Sequence, residues 1–183
     1  MYFLLNSLLK RKICLTGAPK EIDQPKIVIL GIGNLLLKDE GLGIHFVRML
    51  NQDDLDYANV EIIDGGLCPE FVSFIEDAYK LIIVDAIKGG KEPGTVYCFR
   101  LDDVKIDLPV TLSSHQMSVI DSLRLLKLMG REPRDTVIIG VEPKDIDYGL
   151  ELSPEVKARL VELKRIVAEE VEKVDFLLRF ANS

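Results

Sequence analysis

The stretch that most constrains this chain is KIVILGIGNLLLKDEGLGIHFVRML, residues 26–50. Ile27–Leu30 is an unbroken apolar run, which suits a parallel strand covered on both faces. Gly31 and Gly33 permit a sharp exit from that strand, through backbone angles or close approaches that a side chain forbids. Asp39 and Glu40 then fall just outside its carboxyl end, where open α/β sheets place their ligands. Gly43–Leu50 has helical spacing, with Ile44, Val47 and Met49 or Leu50 facing inward.

Strands and helices keep alternating after this opening. Val60–Ile63 is a second strand, ending in Asp64-Gly65-Gly66. Pro69 fits the first turn of a helix that turns Phe71, Phe74, Ile75 and Ala78 inward. Leu81–Val84 is a third strand, ending in Asp85, and Thr95–Phe99 a fourth. The loop between them holds Gly89, Gly90, Pro93 and Gly94 and has no helix, so the two strands are predicted to be antiparallel neighbours. Ser113 or Ser114 can cap a helix over His115–Met129, with Val119, Leu123 and Leu126 on its inner face and Gly130 as a left-handed stop. Thr136–Val141 is the fifth strand. Ser153-Pro154-Glu155 then opens a closing helix that buries Val156, Leu160, Leu163, Val167, Val171 and Val174. Glu155–Arg159 and Glu169–Lys173 are spaced as ion pairs on its solvated face. The predicted class is α/β: a three-layer sandwich with a five-stranded, mostly parallel mixed sheet between helices.

Charge and cysteine usage narrow the function. A net charge of −7 argues against nucleic-acid binding, because phosphates need a dense basic face. Cys14, Cys68 and Cys98 are odd in number and widely spaced, so no disulfide framework is expected and a reducing cytoplasm is the simplest home. Residues 1–25 form an extension, expected to dock on the domain or stay mobile, ahead of a single domain over residues 26–183. The extension's apolar run precedes its basic residues and is too short to span a bilayer.

The alternating order gathers acids at one rim. Glu40, Asp64, Asp85 and Glu142 each follow the carboxyl end of a different strand, and His115 starts a helix on the same edge. Two carboxylates and one imidazole, without a thiolate, suit a borderline ion such as Ni(II) or Zn(II) with water in open positions. A helix start also favours neutral, ligating histidine. Asn34 is expected to fix the loop through its amide, Asp39 to orient the acidic loop, and Asp64 to support the glycine turn. Cys68 lacks a partner thiol and reads as inert, and His45 as structural.

Several of these motifs, in this order, resemble the hydrogenase maturation proteases. Residues 31–43 fit that family's pattern G-x-G-N-x-L-x-x-D-E/D-x-x-G. The likeness continues through Asp64-Gly65-Gly66, Ile82-Ile83-Val84-Asp85-Ala86, Ser114-His115-Gln116 and Gly140-Val141-x-Pro143. The resemblance implies a phosphorylase/hydrolase-like fold and an endopeptidase, aspartic-type by family classification. Such an enzyme removes the C-terminal extension of a nickel–iron hydrogenase large-subunit precursor after nickel insertion. By motif position the metal contacts fall on Glu40, Asp85 and His115, with Glu40 and Asp85 best placed for any base role. Nickel would be carried by the substrate, and zinc or cadmium could substitute. The expected partner is the precursor, with no nucleic acid, no membrane span and a monomer favoured.

Two other readings stand beside it. One is a nickel-dependent checkpoint protein that binds the precursor without cutting it. The other is a Rossmann-like nucleotide binder, since Gly31-x-Gly33 follows a strand. Against the latter, Leu36 replaces the third glycine and Asp39-Glu40 would repel a pyrophosphate.

Overall fold

The structure is a computed structural model that describes residues 25–52, 59–66, 72–103 and 114–181, less the side chains of 51–52, 114–118 and 175–181. Within them lie strands β1 (Ile27–Ile32), β2 (Val60–Gly66), β3 (Lys80–Ala86), β4 (Val96–Arg100) and β5 (Asp135–Val141). The helices are α1 (Leu42–Gln52), α2 (Val72–Ile75), α3 (Ser114–Met129), α4 (Pro154–Lys157) and α5 (Leu160–Ala181). The strands form one sheet in the order β2-β1-β3-β5-β4, parallel except for β4. Helices cover both faces, giving the expected three-layer sandwich.

Side-chain alternation divides the core in two. Ile27, Ile29, Ile82, Val84, Val137, Ile139 and Val141 pack with α1 and α5. Val28, Leu30, Ile32, Leu81 and Ile83 pack on the other face with Ile75 and with Val119, Leu123 and Leu126 of α3. Every residue of β1 is buried, which is why its sequence shows no polar alternation. The α3 stop is a Schellman turn: Gly130, at φ +67°, donates to Lys127 O and Arg131 N donates to Leu126 O.

Four details differ from the expectations. Strand β4 pairs with β5, not β3. The connection over residues 87–95 is long enough to pass one strand at the ~4.8 Å sheet spacing, and β5 inserts between them. Its course is held by Ile87 N donating to Val141 O and Glu142 N donating to Thr95 O. The described part of α2 is a single turn, in which Ile75 is buried while Phe74 stands half exposed; Pro69 and Phe71 lie outside the described residues. The closing helix breaks after α4, and Ser153 makes no side-chain cap. The surface ion pairs also regroup as Lys144–Glu155, Arg159–Glu162, Arg165–Glu169 and Lys173–Glu170.

At the amino end of the central strand lies a buried charge. Lys80, 1% exposed, opens β3 and pairs with Glu170 of α5 and, at 3.1 Å, with Asp135 of β5. Burial pushes the Glu170 carboxyl up, but Lys173 and Lys80 outweigh it and hold it below the ordinary carboxylate range. A carboxyl so depressed adds stability above its unfolded value, and that stability is lost as pH falls through the folded value. Lys80→Met should therefore lower the urea-unfolding free energy by about 3 kcal/mol or more, because Glu170 is left buried beside one exposed lysine. Adding Glu170→Leu should restore most of the loss and flatten the acid limb of the stability profile. A double variant as unstable as the single one would show that the charge pair is not the source.

Candidate active site

The site is built on close backbone contact. A Cβ at Gly31 would overlap Gly43 O, and one at Gly43 would overlap Val84 O and the Ile32 backbone. Glycine at both positions lets the start of α1 rest directly on β1 and β3. Gly33, at φ +141°, lies under the Glu40 carbonyl, where a Cβ would also overlap. The half dinucleotide fingerprint thus has a steric use within this fold.

The turn between β1 and α1 is closed on itself. Asn34 Oδ1 accepts from Leu36 N at 3.0 Å. Asn34 N donates to Glu40 O, Leu37 N to Asn34 O, and Glu40 N to Leu37 O. A 3-10 turn over Lys38–Gly41 then carries the two acids into α1.

Those neighbouring acids differ in use. Asp39 is fully buried. One carboxylate oxygen accepts from Lys144 N and Asp145 N, both at 2.9 Å, and from Ser153 Oγ at 2.8 Å. The other accepts from Ser153 N at 2.7 Å. The hydroxyl expected to cap a helix is therefore drawn to Asp39. Glu40, next along the chain, is only partly buried.

Strand order places Glu40 and Asp85 at the carboxyl ends of adjacent strands. Strands β2 and β3 lie on opposite sides of β1, so the order switches between β1 and β3, where doubly wound sheets open a crevice beyond their carboxyl ends. Glu40 follows β1, and the 3-10 turn that carries it lies against β3. Asp85 stands one residue past Val84, whose partner in β1 is Gly31. It is 2% exposed, its Oδ1 accepts from Ala86 N at 2.8 Å, and the pleat sets it on the face covered by α2 and α3. His115 lies in the first turn of α3, and its side chain is outside the described residues. Among the described residues no three His, Cys, Asp or Glu side chains are grouped to hold an ion.

The other rim acids are engaged elsewhere. Asp64 accepts from Gly66 N and from Arg48 Nε and Nη2. Glu142 accepts from the amides of Gly89, Gly90 and Lys91 and from the Tyr97 hydroxyl. Burial pushes the Glu142 carboxyl up, but these donors outweigh it and hold it low. The same burial, with the Glu142 hydrogen bond and charge, pushes Tyr97 up to about 12. Glu142 thus anchors the loop that carries β4 past β5, a role its place after a strand did not reveal. His45 has a structural role, its Nε2 donating to Leu150 O at 3.0 Å. Cys98 is a free, exposed thiol, and Cys14 and Cys68 lie outside the described residues.

Comparison with known proteins assigns the chemistry. Residues 44–170 match the family described as hydrogenase maturation protease. The chain belongs to that family. It is accordingly a peptidase. It is 37% identical over 148 residues to hydrogenase expression/formation protein HoxM of Azotobacter vinelandii, covering 79% of this chain and 72% of that protein. It is 34% identical over 137 residues to the hydrogenase 2 maturation protease of Escherichia coli, covering 74% and 84%. Among solved structures, the E. coli hydrogenase maturating endopeptidase HybD superposes with a TM-score of 0.71 at 32% identity, covering 81% of this chain and 93% of that one.

In this maturation protease the Asp39 carboxylate joins two loops. Asp39→Ala strands three backbone amides and a hydroxyl, and should cost about 3 kcal/mol. Hydrogen exchange should rise at the amides of Lys144, Asp145 and Ser153 while β1 and β3 stay protected. Unchanged exchange at those amides would remove Asp39 from the role of anchor.

Proposed function

We propose that this peptidase removes the C-terminal extension of a nickel–iron hydrogenase large-subunit precursor after nickel insertion, with nickel on the substrate as the recognition element. The reading is carried by one observation: in a chain of this family, Glu40 and Asp85 flank the β1–β3 switch point. Their carboxylates, with the His115 imidazole from α3, supply an oxygen and nitrogen donor set suited to a borderline divalent ion. The names of the relatives support the choice of hydrogenase as client. The donor chemistry supports nickel, with zinc or cadmium as stand-ins.

Hydrolysis needs a water oxygen added to the scissile carbonyl and a proton delivered to the departing amine. Glu40 or Asp85 takes the proton from that water as the carbon–oxygen bond forms, and returns it as the carbon–nitrogen bond breaks. Holding a substrate-borne ion beside these carboxylates fixes the peptide near them and makes the attack effectively intramolecular. Specificity then follows from the maturation state of the client as well as from its sequence. We assign the reaction to the cytoplasm, in keeping with the free Cys98 thiol; no described helix is long and apolar enough to cross a membrane.

On a gel, the nickel-loaded precursor should shorten with this protein and the nickel-free precursor should not. Equal cleavage of both would refute substrate-borne recognition, and binding without shortening would favour a checkpoint role. His115→Ala should abolish cleavage with far-UV circular dichroism unchanged; surviving activity would remove His115 from the metal set.

A further inference from the structure

The loop that Asp39 holds leaves large apolar side chains in solvent. Tyr148 is 88% exposed, Leu150 62% and Leu36 60%. A parallel bridge between Leu37 and Gly149 sets Leu36 beside Tyr148. Gly149 N donates to Leu36 O and Lys38 N to Gly149 O, both at 2.9 Å.

This surface is fixed at several points. Asp145 pairs with Lys38, Asp39 N donates to Asp145 O, and the Asp39 carboxylate binds the loop near both ends. His45 of α1 holds the Leu150 carbonyl. Apolar groups fixed in water are an unfavourable surface unless something covers them, and a rigid platform lowers the ordering cost of binding. The platform also runs straight into the catalytic turn, since Leu37 O accepts from Glu40 N at 3.0 Å. Asp147 and Glu151, both exposed, stand on either side of Leu150 and give the ledge a negative border.

We propose that Leu36, Tyr148 and Leu150 form the docking ledge for the precursor segment that leads into the scissile bond. Its occupant is an apolar stretch of polypeptide bearing basic residues, matched to the Asp147 and Glu151 border. The proposal rests on the reading that Glu40 faces the substrate, because continuity with Glu40 is what brings that segment across the ledge.

The probe is a nickel-loaded large-subunit precursor, cut by the full-length protein under steady-state conditions. Tyr148→Ala combined with Leu150→Ser should raise KM about tenfold or more and leave kcat within about twofold, the pattern of lost ground-state binding. Asp147→Lys combined with Glu151→Lys should also raise KM, and should remove its dependence on salt. Leu128→Ser, at an exposed site near the far end of α3, should change neither constant. All these side chains are exposed, so circular dichroism and Tm should match the parent. An unchanged KM in the first variant overturns the ledge, and so does an equal rise in Leu128→Ser. A change in sedimentation instead of KM would give the surface to a second copy of this chain. A parent protein that leaves the loaded precursor whole overturns the functional reading, and the ledge with it.

Discussion

Everything at the carboxyl rim of β1 depends on the contact between Gly31 and Gly43. With no side chain at either position, the start of α1 lies on the backbone of β1 and β3. That contact sets the height of the 3-10 turn above the sheet, and so the position of Glu40 beside β3. A methyl group at Gly43 has no soft neighbour to displace, because the atoms it would meet are Val84 O and the Ile32 backbone. Overpacking against backbone carries the upper range of such costs, about 3 kcal/mol. The spacing of glycines in this motif is therefore a statement about distance between elements as much as about turn conformation.

The same turn assigns opposite tasks to adjacent acids. A carboxylate can accept several hydrogen bonds, and Asp39 spends its capacity on three amides and a hydroxyl from a segment more than 100 residues away. Charge-assisted bonds of this kind contribute about 1.5–3 kcal/mol each in favourable settings, enough to offset the burial of one ion. Glu40, one residue later, is left at the crevice. The two positions could not be exchanged without moving the turn, since one step of a 3-10 helix separates the two side chains by about 120°.

Much of this was legible in the sequence, and the gaps have physical causes. Continuous apolar runs marked β1, β3 and β5, because burial on both faces leaves no polar alternation to confuse with a helix. The glycine spacing marked the contact of α1 with β1 and β3, because the steric demand there is strict. The neighbour of β4 was not legible: a loop without a helix is compatible with the adjacent strand or with the next one over. What distinguishes them is Glu142, whose carboxylate holds the loop amides at residues 89–91, a contact across more than 50 residues that no local pattern encodes. Ser153 misled for a similar reason. A serine before a proline is a sound helix start, yet a buried carboxylate nearby is a stronger acceptor of its hydroxyl proton than a helix amide is a donor to its oxygen.

Rigidity around Glu40 carries one more consequence. Lys38 sits at φ +42° without being glycine, a conformation that costs roughly 1 kcal/mol. It persists because the residue is held from several directions: its amide donates to Gly149 O, its ammonium pairs with Asp145, and its neighbour Asp39 is buried in the same loop. A turn held this firmly keeps the Glu40 backbone in place before any substrate arrives. Less free energy is then required to order the site during binding, and more of the interaction with the peptide remains available for the transition state. In a peptidase, that allocation favours discrimination over breadth, because a fixed turn cannot adapt to a segment that approaches in another register.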